Sequence, residues 1–288
     1  LALIGLFGGF FIVPLFALVQ QRAPREQVSR VIAANNILNA LFIVIAAGLA
    51  ILLLGPVGLS IPQLFLVTAA LNAVVAIHIF SLVPEFLMRF LVWLATLAMY
   101  RIDTKGIEEN IPDEGAALVV CNHVGYMDAL LLAGAIPRPV KFVMYYKIFR
   151  IPVMNWVFRA AGAIPIAGSK EDPELMQRAF DRIDAALANG EIVGIFPEGG
   201  LTKDGEIATF RPGVEKILAR RPVPVVPMAL KNLWGSLFSR RDSALGRMRL
   251  PRRFRAAIGI EATAAVPGDI ATAALLEEKV RMLRGDAA

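Results

Sequence analysis

The chain has 288 residues, 57% of them hydrophobic, and its 30 Lys and Arg outweigh 24 Asp and Glu to give a formal net charge of +6. A mean hydropathy of +0.61 excludes a water-soluble domain throughout, and a single cysteine, Cys121, excludes an internal disulfide framework. The basic balance fits nucleic acid or anionic lipid, and the apolar runs that open the chain favour lipid and phosphorylated substrates.

Residues 1–21 carry no charge, and residues 31–84 carry none apart from the titratable His78. Leu1 opens inside an apolar run, so the sequence reads as the C-terminal piece of a longer protein. No basic n-region marks a signal peptide. Three spans are predicted, roughly Leu1–Val19, Val31–Leu54 and Gln63–Val83, each near the ~20 residues that cross a hydrocarbon core. The first link, "QQRAPREQVSR", holds Arg22, Arg25 and Arg30 against Glu26, whereas the second, "GPVGLSIP", is uncharged. Basic links face the cytoplasm. The third span then returns there, and Arg89, Arg101 and Lys105 follow it. The expectation is a multi-pass protein of the inner membrane with a cytosolic soluble domain. Asn35 and Asn39 share one helix face in the second span; interhelical hydrogen bonding and a transport path both stay open.

The run "EFLMRFLVWLATLAMYR" (85–101) is short for a span. It is read as an interfacial or membrane-dipping helix, with a fourth span as the alternative. The predicted division is therefore 1–84 transmembrane helices, 85–101 interfacial helix and 102–288 soluble domain.

After Arg101 the pattern alternates. Strands are predicted at 116–122, 141–146, 163–166, 191–196, 223–230 and 254–262. Among the intervening helices, "DPELMQRAFDRIDAALANG" is the clearest: Asp172 caps it, Pro173 suits its first turn, and Gly190 ends it. Met176, Ala179, Phe180, Ile183 and Leu187 form its apolar face. Such alternation predicts an α/β domain with a mixed, largely parallel sheet flanked by helices, preceded by all-α transmembrane helices.

The chemistry-bearing stretch is "VVCNHVGYMDALLL" (119–132). On one continuous helix, His123 and Asp128 would point about 140° apart. With a strand ending at Asn122 and a helix starting near Tyr126, Asp128 falls in the helix's first turn and can accept from the imidazole. An acid that orients one ring nitrogen leaves the other as a general base. No serine stands at nucleophile-elbow spacing. A Cys121–His123 thiol–imidazole pair is conceivable, but a lone strand cysteine is usually a small buried hydrophobe. Metal binding finds only His78 as a second histidine. Two readings remain: a histidine that deprotonates a substrate hydroxyl, and one that merely caps a turn. Further on, the glycines of "FPEGG" (196–200) suit backbone amides that approach an anion, or a plain turn. Thr202, Lys203 and Arg211 follow, and "FRPG" (210–213) opens a helix whose N-terminus favours phosphate. Arg211 is read as a phosphate contact.

His123-x4-Asp128, then "FPEGG", then "VPVVPMAL" (223–230), with "GIEENIP" (106–112) before the first strand, resembles the glycerolipid acyltransferases of the lysophosphatidic acid acyltransferase family over about residues 85–285. The resemblance implies that His123 is the base and Asp128 orients it. It also implies that a glycerol hydroxyl attacks the thioester of acyl-CoA or acyl carrier protein, with no metal, bound cofactor or covalent acyl-enzyme. Phe196, Pro197, Glu198 and Gly199 would form the acceptor block, Thr202 and Arg211 would lie beside it, and Pro227 would match the fourth block. Gly162 suits the start of the second block, but Gly168 stands where that block carries arginine, leaving Lys170 or Arg159 as substitutes.

The segments "PLFALVQQRAP" and "AANNILNALF" resemble the last spans of major facilitator superfamily transporters, in the lysophospholipid branch. Seven arginines between 240 and 255, with Trp234, Leu237 and Phe238 before them, suit an anionic lipid or CoA contact. No nucleic-acid module is found. The expected activity is acylation of a lysophospholipid, foremost 1-acyl-glycerol-3-phosphate to phosphatidic acid. The alternatives are lysophosphatidylethanolamine acylation, or a lysophospholipid transporter with an inactive attached domain.

Overall fold

Three apolar helices open the chain: α1 (Ala2–Arg22), α2 (Val28–Leu54) and α3 (Ile61–Leu82). The computed structural model describes residues 2–82, 84–236 and 255–285. It divides into residues 1–82 and residues 83–288. The helices start near the predicted spans, and local chemistry sets their ends. Gly55 closes α2 by donating its N–H to Ile51 O. At the start of α3, Gln63 Oε1 accepts from the Ser60 N–H at 2.8 Å and from the Ser60 hydroxyl at 2.9 Å. With mean hydropathies of 2.8 and 2.1, α2 and α3 are long and apolar enough to cross a membrane. Phe42, Ile51, Leu66 and Ile77 are all exposed within their unit. Helices apolar on every side belong in lipid or a large core, and this one buries none of them.

The second unit begins with α4 (Pro84–Met99), which leads directly into β1 (Tyr100–Lys105). Then follow α5 (Ile107–Asn110), β2 (Ala117–Cys121), α6 (Asp128–Ala135), β3 (Val140–Tyr145), α7 (Pro152–Ala160) and β4 (Ile164–Ile166). The chain continues through α8 (Pro173–Ala188), β5 (Ile192–Ile195), α9 (Gly213–Arg220), β6 (Val225–Lys231), β7 (Ala256–Ala262) and α10 (Ala273–Arg284). All six predicted strands are present. β1 is additional, because its charged sequence YRIDTK hides a sheet-edge strand.

The seven strands form one mixed sheet in the order β1-β7-β6-β2-β5-β3-β4. Five are mutually parallel from β6 to β4, and β7 pairs antiparallel with β6. β1 runs parallel to β7 in a register that sets Tyr100 opposite Ala256. One apolar cluster gathers α8, α9 and α10 against one face of the sheet, through residues such as Ile183, Leu218 and Leu276. The other gathers α6 through Leu131 and Leu132. α8 behaves as its sequence predicts: Asp172 Oδ1 accepts from Leu175 N–H at 2.8 Å, and Ala179, Phe180, Ile183 and Leu187 are buried.

From β2 the chain moves outward to β3 and β4, returns to form β5 beside β2, and then crosses to form β6 on β2's other side. The carboxyl ends of β2 and β5 therefore flank a reversal in strand order, which is where open α/β sheets form their crevices.

Candidate active site

β2 ends at Cys121 and α6 starts at Asp128. Asn122 anchors the loop between them. Its amide donates to Leu230 O at 3.1 Å and accepts from Leu230 N–H at 2.8 Å, as a further peptide unit of β2 would. The next residue, His123, is thereby held at the sheet's carboxyl edge. Neither the helix period nor the strand period reveals this device.

Asp128 is fully buried, and its carboxylate gathers the loop. Oδ2 accepts from Val124 N–H at 2.6 Å and lies 2.8 Å from His123 Nδ1. Gly125 N–H is shared between Oδ1 and Oδ2 at 3.0 Å each. The carboxylate faces only donors when the ring proton is on Nδ1, the tautomer that leaves Nε2 its lone pair. The His123 side chain is 23% exposed, enough for a substrate to reach it. Its ring stacks on Phe196, centroids 4.1 Å apart at 14°, and Phe196 stacks in turn on Phe142 at 5.9 Å. Gly194 in β5 makes room for that stack, because a Cβ there would lie 2.5 Å from the Phe142 ring.

The "FPEGG" loop leaves β5 beside this histidine. Glu198 is 5% exposed, and both its oxygens accept backbone N–H groups: Oε1 from His123 at 2.6 Å, Oε2 from Ala208 at 2.8 Å. Burial pushes its carboxyl above the usual range, against the pull of those two bonds. Glu198 braces the His123 loop, a role the motif alone did not disclose. Thr202 joins the same brace: its N–H donates to His123 O at 2.9 Å, and its hydroxyl bonds Glu206 O at 2.7 Å. Pro197 O accepts from Arg211 N–H at 2.9 Å. Gly199 has φ +70°, and a Cβ there would meet the Arg211 guanidinium at 2.7 Å, so this arginine lies flat over the glycine. Arg211 is exposed, and its guanidinium has no carboxylate partner among the described residues.

The structure thus brings His123, Asp128, Phe196, Pro197, Glu198, Gly199, Thr202 and Arg211 together. Pro227 stands opposite Val120 within the sheet, three positions before Leu230, set back from the loop. Gly162, with φ +69°, packs on the Lys141 side chain just before β4. By strand register it sits about 16 Å from the level of His123, taking ~3.3 Å per residue. Arg159 is exposed on α7 and donates to Asn155 Oδ1, while Lys170 is exposed in the turn before α8. Cys121 is buried, and burial pushes its thiol well up, first of all causes, so it stays a neutral thiol donating weakly to Asn122 Oδ1 at 3.5 Å. That geometry does not support a thiolate–imidazole pair. In the arginine-rich segment, Leu237, Phe238, Arg240, Arg241, Arg247, Arg249, Arg252 and Arg253 lie outside the described residues. Trp234 covers Gly205.

Fold and site define an α/β domain built around a carboxylate-oriented histidine. Residues 103–231 match the family model described as Acyltransferase. A chloroplastic 1-acyl-sn-glycerol-3-phosphate acyltransferase, BAT2 of Brassica napus, is 33% identical over 132 residues, 46% of this chain and 37% of that protein. The 1-acyl-sn-glycerol-3-phosphate acyltransferase of Borreliella burgdorferi is 26% identical over 124 residues, 43% of this chain and 49% of that protein. The chain thus spans between about a third and a half of these relatives. The crystal structure of the 1-acyl-sn-glycerophosphate (LPA) acyltransferase PlsC from Thermotoga maritima superposes with a TM-score of 0.55 at 22% identity, covering 70% of this chain and 79% of that one. At that identity the likeness shows the fold.

Proposed function

We propose that residues 83–288 transfer an acyl chain from acyl-CoA or acyl carrier protein to the free hydroxyl of a lysophospholipid, foremost 1-acyl-glycerol-3-phosphate, giving phosphatidic acid. The observation that carries this is the 2.8 Å pairing of His123 Nδ1 with a buried Asp128. His123 Nε2 takes the proton of the acceptor hydroxyl as its oxygen attacks the thioester carbonyl. The imidazolium, held by Asp128, then returns that proton to the departing thiolate. No metal or cofactor enters the step, and the acyl chain is never bound to the protein. Membranes containing the chain, given labelled acyl-CoA or acyl carrier protein and a panel of lysolipids, should acylate lysophosphatidic acid fastest. A preference for lysophosphatidylethanolamine would shift the head-group assignment, and no product with any acceptor would overturn the reading.

Arg211 is assigned to the acceptor phosphate because it lies over the glycine of the loop beside His123 without an acid to neutralise it. Arg211→Ala should raise the acceptor KM about 10- to 100-fold, corresponding to roughly 1.5–3 kcal/mol for a charge-assisted contact, and leave the donor KM unchanged. Lysine should rescue only in part, lacking the planar fork. A shift confined to the donor KM would assign Arg211 to the thioester carrier and make Lys170 the next candidate for the phosphate.

The basic charge of the first link supports a cytosolic location for residues 101–288. In a Cys121→Ala background, single cysteines at Ser60 and at exposed Ser169 should label from opposite sides with an impermeant thiol reagent. Labelling at 169 from outside intact cells would reverse the topology. That α1–α3 end a lysophospholipid transporter feeding the domain is proposed on their quoted segments alone. Uptake of labelled lysolipid by vesicles holding the whole protein tests it, and an uptake rate equal to empty vesicles would sink it.

A further inference from the structure

The apolar surface of α7 and the turn before it has no part in the site described. Residues 145–160 hold three cations, Lys147, Arg150 and Arg159, and no carboxylate of their own. Glu171 pairs with Lys147 at 2.6 Å and accepts from the Tyr145 and Tyr146 hydroxyls, which leaves Arg150 and Arg159 as the cations without an acid among the described residues. A 3-10 turn (Tyr146–Arg150) leads into α7, and the rings of Phe149 and Phe158, 5.7 Å apart, pin the two together. Yet Ile151 and Trp156 stand outward, 54% and 57% exposed. Arg150 lies over the Tyr146 ring at 5.5 Å, and neither it nor Arg159 meets a carboxylate among the described residues. α7 packs against α4, which exposes Trp93, Leu94 and Leu97. A single residue, Val83, separates α4 from α3, a helix able to cross a membrane.

We infer that the turn and α7 form a second membrane-docking element, with Trp156 and Ile151 seated at the headgroup–acyl boundary of an anionic leaflet and Arg150 and Arg159 meeting its phosphates. Indole and aliphatic groups beside two guanidinium groups that meet no carboxylate among the described residues suit that boundary, where apolar burial and attraction to anionic lipid add. A protein partner would more often meet an apolar core with a polar rim of both signs. The turn follows β3, whose carboxyl end lies on the same sheet edge as His123. Docking there opens the histidine toward the lipid phase, where a lysolipid resides.

The test needs no turnover, so it succeeds or fails independently of the proposed activity. In the full chain with Cys121→Ala, a fluorescent label is placed on Ile151→Cys or Trp156→Cys and the protein is reconstituted into vesicles containing anionic lipid. Met282→Cys on α10, 66% exposed on the layer at the sheet's other face, serves as control. Labels at 151 and 156 should lose fluorescence to lipid-borne nitroxide and be spared by aqueous iodide, and the label at 282 should do the reverse. Adding Arg150→Ser and Arg159→Ser should weaken the nitroxide quenching in anionic vesicles. Iodide quenching at 151 and 156 equal to that at 282 would overturn the inference, as would nitroxide quenching of all three sites alike. Either labelled position suffices if the other variant does not fold.

Discussion

His123→Ala should lower turnover by a factor on the order of 10²–10⁴, the share a positioned general base supplies, while the protein stays folded. Asp128 would keep its bonds to Val124 and Gly125 N–H, and Glu198 would still accept from the backbone at 123. The loss should therefore fall on kcat rather than on either KM, because the imidazole acts on a proton in flight and not on the bound ground state. Glutamine at 123 should be equally inactive, since an amide cannot take the proton. Parallel rate curves and thermal unfolding on wild type and both variants decide the matter. Near-normal turnover with either variant would end His123's role as base.

Asp128→Asn should be nearly as damaging, for a different reason. The buried carboxylate accepts from three groups around one point: His123 Nδ1, Val124 N–H and Gly125 N–H. An amide offers one oxygen and one NH₂. If its oxygen takes the Oδ1 place it keeps only Gly125 N–H, and the NH₂ at the Oδ2 place faces both Val124 N–H and His123 Nδ1, driving the ring proton to Nε2, the wrong atom for a base. If its oxygen takes the Oδ2 place it keeps His123 and Val124 N–H, and the NH₂ points at Gly125 N–H. The first arrangement costs rate, on the order of 10²–10⁴. The second costs stability, about 1–3 kcal/mol for a buried donor left unpaired. Measured together, turnover and unfolding should show one loss, the other or both. Asp128→Asn with unchanged rate and unchanged stability would reduce Asp128 to a bystander.

Much of this was legible in the sequence where one residue type sufficed. Alternating hydrophobicity revealed β2 to β7, and Asp172 with Pro173 revealed the start of α8. The spacing of His123 and Asp128 implied a strand-to-turn-to-helix setting, which their bond bears out. What stayed hidden depends on partners remote in sequence. β1 reads as polar because its partner β7 lies far along the chain. Asn122 looks like a loop residue until Leu230 is seen beside it. Glu198 reads as a substrate contact because a motif cannot show that both its oxygens are taken by His123 and Ala208 N–H. Gly162 and Pro227, read as residues of the second and fourth blocks, are set back from the loop by strand register.

The pairing of β1 with β7 also fixes an order of events during synthesis. Tyr100 lies against Ala256, so more than half the chain separates the two strands. At about 5–20 residues per second, β1 leaves the ribosome on the order of 10–30 s before its neighbour β7 exists. For that interval it is an open strand edge next to the apolar α4. β6 likewise lacks one neighbour until β7 arrives. A chain that stops short of residue 256 therefore keeps every residue of the His123 loop and still carries two unpaired edges, which are templates for aggregation. The sheet is completed by β7, two strands away from the β2 edge that carries His123.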